Sequence, residues 1–145
     1  LYLLPENLIE DTGVLLSDAL PTGHETGVLN GEIKPGDTVA IVGAGPVGMS
    51  CLLTSQLYSP SVIIMIGMDE SVNFSVEKLW IKNLTITTGL VNANTTGMLM
   101  KNCCSGKLTA GKLITHHFRF SEIEKAYDVF KHAASEKAMK VIIEF

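Results

Sequence analysis

The chain predicts an α/β fold, a doubly wound parallel sheet in partial form, and three observations carry that expectation. The β-branched run Thr38-Val39-Ala40-Ile41-Val42 leads into the glycine turn Gly43-Ala44-Gly45-Pro46-Val47-Gly48, and an apolar helical stretch follows. A second run, Val62-Ile63-Ile64-Met65-Ile66, is apolar throughout, as suits a strand of a parallel sheet covered on both faces. The remaining strand-like runs are too few for the about six strands of a complete doubly wound sheet.

Taken in order, residues 5–20 are expected to form the first helix. Pro5 suits a first helical position, and Leu8, Ile9, Val14, Leu15 and Leu16 fall at helical spacing, although Gly13 weakens the interior. Pro21-Thr22-Gly23 punctuates the chain, and Thr22 is expected to cap a second helix that Gly31 ends. Lys34-Pro35-Gly36-Asp37 reads as a turn. Thr38–Val42, a helix over 46–58 stopped by Ser59-Pro60-Ser61, and Val62–Ile66 then form one βαβ unit with the usual right-handed crossover. Beyond Gly67 the alternation weakens. The expected elements are a helical turn over 76–81, a strand over 84–88 docking on the first unit, a helix over 95–105 and a strand over 113–118. A helix capped by Ser121, with Glu122 and Glu124 near its positive end, and a strand over 141–145 complete the chain.

Composition excludes several function classes. The 145 residues are enough for one domain with a core. The net charge of −4 and the scattered basic residues argue against a nucleic-acid or polybasic membrane surface. The apolar run 62–68 is too short to span a membrane. Cys51, Cys103 and Cys104 have no metal-ligand spacing, and so sparse and odd a count suits a reducing cytoplasm. Leu1-Tyr2-Leu3-Leu4 is cut short by Pro5, so no secretory leader is expected there.

Gly43, Gly45 and Gly48 fit G-x-G-x-x-G, the dinucleotide fingerprint of a Rossmann-like sheet. The first glycine makes the tight turn, the second lets the backbone approach a pyrophosphate, and the third packs helix on strand. The helix that follows offers free N–H groups and a partial positive charge to phosphate. The competing reading is a structural turn that only packs the helix on its strand.

Three stretches carry a resemblance: Leu16-Ser17-Asp18-Ala19-Leu20-Pro21-Thr22-Gly23, Gly31 to Gly48, and Ser71 to Phe145 with its Thr115-His116-His117-Phe118. Together they make the chain similar to the zinc-dependent medium-chain alcohol dehydrogenases. The resemblance implies a partial dinucleotide-binding domain over 1–112 and a C-terminal segment of the catalytic domain over 113–145. It also implies that the N-terminal catalytic domain is missing, and that an internal deletion between Met65 and Ser71 has removed central strands of the cofactor domain.

By the same resemblance, Asp18 corresponds to a ligand of catalytic zinc and Thr22 to the residue beside the nicotinamide. Gly43, Gly45, Pro46, Val47 and Gly48 correspond to the pyrophosphate site. Gly89 and Leu90 correspond to a backbone stretch at the carboxamide, and Lys140 to a basic residue that reaches the pyrophosphate. Plainer roles stand beside these: a solvated Asp18, a capping Thr22, a solvated Lys140. Gly67 and Asp69 compete for the ribose-reading position, which favours NAD and leaves NADP open. Adjacent residues of a strand face opposite ways, so His116 and His117 are poor joint ligands and are expected to pack at a strand end. His24 and His132 carry no signal, and Trp80 and Tyr127 are expected in the core or at a subunit contact.

The implied activity is hydride transfer between a small alcohol or aldehyde and a nicotinamide cofactor, with zinc as Lewis acid. The Cys and His zinc ligands of the family have no counterpart in the sequence, so the chain alone is expected to hold no zinc and to be inactive. The alternative is a non-catalytic nucleotide-binding or interaction remnant. No nucleic-acid or membrane partner is expected, and a homo-oligomer or a partner chain stays open.

Overall fold

Helices alternate with parallel strands in the computed structural model, which describes residues 1–67 and 75–145. The expectations placed on Asp69, on the junction ending at Ser71 and on the side chain of Trp80 lie outside what is described.

The expected first helix is broken in two, α1 (Glu10–Leu15) and α2 (Ala19–Thr22). Pro21 explains the break. Its ring would clash with the carbonyl of Ser17 in a continuous helix, so it is tolerated only in the first turn of a new one. Leu8, Leu15, Leu16 and Leu20 bury against Leu99, Leu108 and Leu113 in the larger core.

Thr22 does not cap a fresh helix, contrary to expectation. Its backbone is helical (φ −60°, ψ −53°), and α2 passes without interruption into a π-helical run, Gly23–Leu29. Its hydroxyl instead donates to Asp18 Oδ1 at 2.9 Å.

Strands β1 (Thr38–Val42) and β2 (Val62–Ile66) pair in parallel, with Thr38 opposite Val62 and Val42 opposite Ile66. Between them α3 (Pro46–Ser55) continues as a 3₁₀ turn, Gln56–Tyr58, so this βαβ unit forms as the sequence predicts. Helix α3 is wedged between two cores. Met49, Leu53 and Leu57 face the leucine core, while Cys51 and Leu52 face a smaller one with Val28, Ile33 and Ile41. The buried hydroxyls of Ser50 and Thr54 donate to carbonyls one turn back, at 2.8 Å to Pro46 O and 2.8 Å to Ser50 O. A helix with small, self-satisfied residues on its face admits a close neighbour. The π-helical run exploits this at Gly23 and Gly27: an added Cβ would lie 2.5 Å from the Cys51 backbone nitrogen and 2.5 Å from Cys51 Sγ, respectively.

After α4 (Val76–Leu79) the expected strand over 84–88 is absent. The segment joins neither sheet, and Leu84 and Ile86 are exposed. It is held at Thr87, whose hydroxyl donates to Asn30 O at 3.3 Å. Helix α5 (Thr96–Cys104) matches expectation to within a residue and buries Leu99.

The C-terminal part is a second βαβ unit. Strand β3 (Ile114–Arg119) pairs in parallel with β4 (Lys140–Glu144), with an irregularity between Ile114 and His116. Helix α6 (Ile123–Lys131) and the short α7 (Ala133–Glu136) connect them. Ser121 is not the cap. It lies inside a 3₁₀ turn, Phe120–Glu122, where Glu122 Oε2 accepts from the Arg119 N–H at 3.3 Å. Tyr127 is exposed on α6 and so is no core aromatic.

Among the described residues the strands form two separate two-stranded parallel sheets, β1–β2 in the part expected to hold the partial doubly wound sheet and β3–β4 in the C-terminal segment. No helix among them is long and apolar enough to cross a membrane.

Candidate functional site

The site begins at the junction of β1 and α3. Gly43 takes φ +99°, a conformation that a side chain would strain, and its N–H donates to Ile66 O at 2.8 Å, which ties the turn to β2. A Cβ at Gly48 would lie 1.8 Å from Gly43 O, so this residue must lack one for the helix to sit against the turn. A Cβ at Gly45 would meet nothing within 4 Å. That position faces open space.

Helix α3 starts with Gly45 at its N-cap and Pro46 at its first position, with no side chain capping it and no acid in its first turn. The N–H groups of Val47 and Gly48 therefore keep their hydrogen-bonding capacity, and the positive end of the helix dipole is uncompensated. Gly43, Gly45, Pro46, Val47 and Gly48 line one side of an open cleft of ≈ 460 Å³. Gly23, Thr26 and Gly27 of the π-helical run, with Ile41, Val42 and Cys51, complete its lining. Its lining contains no carboxylate. Burial pushes the Cys51 thiol above its ordinary range, so it is a neutral, packed sulfur here.

The other sequence candidates are scattered. Thr22 is next to the cleft-lining Gly23, and its hydroxyl is engaged with Asp18. Asp18 is exposed, and among the described residues no three His, Cys, Asp or Glu side chains converge to hold a metal ion. Leu90 is 91% exposed in an irregular segment, away from the cleft lining. Lys140 is on β4, paired opposite Ile114 in the second sheet. His116 stacks on Phe118 with ring centroids 6.3 Å apart, a packing role as expected. His117 points elsewhere, 3.2 Å from Glu144 and 3.6 Å from Asp11.

Two residues beside the cleft carried no usable sequence signal. His24 is buried, with Nε2 3.4 Å from the Tyr58 hydroxyl and Nδ1 without a partner among the described residues. Its pKa is lowered because burial disfavours the imidazolium, an effect the Glu25 charge only partly offsets. Glu25 accepts hydrogen bonds from Asn92, Ala93 and Thr95. Partial burial opposes its ionisation, but those bonds prevail and hold its carboxyl below the usual range. Its partners are 67 to 70 residues away in the chain, beyond any local motif. The close approach of Gly23 and Gly27 to α3 went unpredicted, although their four-residue spacing was a signal for it in the sequence.

No family model matches the chain. Comparison with curated proteins finds 34% identity over 70 residues to a probable D-xylulose reductase A of Aspergillus clavatus, covering 48% of this chain and 19% of that protein. Among solved structures, the apo form of zinc-dependent alcohol dehydrogenase 2 from Streptococcus pneumonia is 36% identical with a TM-score of 0.88, over 99% of this chain and 61% of that one. An Escherichia coli CFT073 structure described as a short-chain alcohol dehydrogenase with NADH has a TM-score of 0.77 at 16% identity, covering 99% of this chain and 62% of that one, and speaks to fold alone. The chain spans less than two thirds of each of these proteins. The shared α/β fold and the identity to zinc-type enzymes agree with the glycine turn: the chain is a partial-length homologue of the zinc-type alcohol dehydrogenases.

Proposed function

We propose that the chain supplies the dinucleotide half-site of an alcohol dehydrogenase-type oxidoreductase and binds NAD through Gly43, Gly45, Pro46, Val47 and Gly48. The observation that carries this reading is the open position of Gly45 at the uncapped start of α3. Bare backbone and free N–H groups meet there, the arrangement a pyrophosphate requires. When bound, a nicotinamide dinucleotide would supply hydride acceptance or donation. The residues of the chain hold the diphosphate, keep negative charge out of the cleft and wall it with the π-helical run. Thr22 would border the nicotinamide end, being adjacent to Gly23. In this reading 1–112 is the remnant of the cofactor domain and 113–145 the returning segment of a catalytic domain. Leu90 and Lys140 are assigned no cofactor contact, because neither lines the cleft.

Zinc is a different case. Asp18 has no companion ligands among the described residues, so the donor set does not fit the ion. No step is assigned to it, and the chain alone is proposed not to turn over a small alcohol or aldehyde. The three free cysteines suit a reducing, cytoplasmic setting. Titration of the purified chain with NADH, followed by nicotinamide fluorescence, should give a saturable change that inorganic pyrophosphate competes away. A linear, unsaturable response up to millimolar NADH would sink the reading.

A further inference from the structure

The π-helical run Gly23–Leu29 lines the cleft together with the glycine turn, and it is braced on two sides. Gly23 and Gly27 brace it by direct approach to α3. The second brace comes from a strap, residues 87–95. Thr87 donates to Asn30 O at 3.3 Å, just past the end of the run. At the other end the Glu25 carboxylate gathers the strap. Oε2 accepts from the N–H groups of Asn92 at 2.7 Å and Ala93 at 3.0 Å, and Oε1 accepts from the N–H and hydroxyl of Thr95 at 2.9 and 2.8 Å.

Two features make this more than a surface contact. Ala93 is held at φ +56°, a left-handed conformation that an L-residue disfavours. Its N–H is one of those that Glu25 binds, so the carboxylate holds the strained residue directly. The braced element is itself a π-helix, a rare geometry that neighbouring contacts must sustain.

We infer that Glu25 is a positioning residue for the glycine cleft: its carboxylate clamps the 87–95 strap onto the outer face of the π-helical wall and so fixes Gly23, Thr26 and Gly27 on the inner face. The inference rests on the dinucleotide reading above. It requires both carboxylate oxygens, since each binds a different part of the strap. Glu25→Gln keeps one acceptor oxygen and gives up the other, whereas Glu25→Ala gives up both.

The test measures NADH affinity by fluorescence, and backbone amide exchange by NMR, in the full chain and in both variants. In the unaltered chain the Asn92, Ala93 and Thr95 amides should be protected, and NADH should protect them further. Glu25→Ala should expose those amides while Leu20 and Leu99 stay protected, and should weaken NADH binding by about tenfold, the scale of coupling between linked sites. Glu25→Gln should fall between. Unchanged NADH affinity in Glu25→Ala with exposed strap amides would overturn the inference and leave the dinucleotide reading intact. So would equal loss of protection in the leucine core, which would make the role merely structural. Absence of saturable NADH binding in the unaltered chain would overturn both.

Discussion

The chain builds the same supersecondary unit twice, and only one copy has a bare glycine turn. In β1–α3–β2 and in β3–α6–β4 a helix connects two parallel strands. The junctions differ. In the first, glycines at 43, 45 and 48 leave bare backbone and a helix start free of side chains and acids. In the second, Phe120-Ser121-Glu122 fills the same junction, Phe120 stacks on Phe145 with centroids 5.0 Å apart, and the Glu122 carboxylate occupies the helix start. An anion would be welcomed at one and repelled at the other. A βαβ unit therefore leaves its helix start bare only where its turn lacks side chains.

The most disruptive way to break that contrast is Gly48→Ala. The new methyl would sit 1.8 Å from the Gly43 carbonyl oxygen, so turn and helix must separate. A loss of about 3 kcal/mol is expected, in the range of severe overpacking. Urea unfolding measures it. A loss under about 1 kcal/mol would mean that helix and turn are not in this contact.

Gly45→Ala separates stability from binding. The backbone there, φ −76° and ψ −176°, suits alanine, and the methyl meets no atom within 4 Å. The urea midpoint should hardly move. NADH affinity should fall by about tenfold or more, equivalent to about 1.4 kcal/mol, because in the proposed binding mode the methyl enters the space of the diphosphate. Equal affinity would remove the glycine turn from the binding site.

These two positions show what could be read in the sequence. The turn was legible because its requirement is local: strand, glycine spacing and helix are contiguous. The split of the first helix was also written locally, in Pro21, but Leu8, Ile9, Leu15 and Leu16 gave a helical spacing that masked it. The 84–88 segment misled because Leu84 and Ile86 alternate like a strand while, among the described residues, no strand pairs with them. Strand pairing is a tertiary fact. So is the Glu25 clamp, which joins residues distant in the chain, and so is the burial of His24, which nothing nearby announces.

Acid should act on the first unit through His24. Burial lowers its pKa beneath 6.5, so the unfolded chain takes up a proton before the folded one does. Its contribution to stability is complete above that value and is lost as the pH falls through the folded-state pKa. Glu25 adds a loss of the same sign in a lower window, beneath 4.5. Melting temperature should therefore fall on acidification from neutrality, and His24→Gln should flatten the first part of that slope. An unchanged slope in His24→Gln would show that another group titrates there.

The smallest effect is expected in the second unit. Lys125 Nζ is 3.9 Å from Glu122 Oε1 and 5.5 Å above the Phe118 ring, at the filled junction. Both partners of the ion pair are exposed, so water already screens the attraction, and the cation–ring contact is long. Lys125→Ala should cost less than about 1 kcal/mol, a fraction of the Gly48→Ala loss, and should leave NADH affinity unchanged. Because side chains fill this junction, each can be trimmed and its neighbours or water can take up the space. At Gly48 the glycine junction has no such slack, since backbone already touches backbone there. A urea midpoint shift for Lys125→Ala as large as that of Gly48→Ala would refute this difference in tolerance.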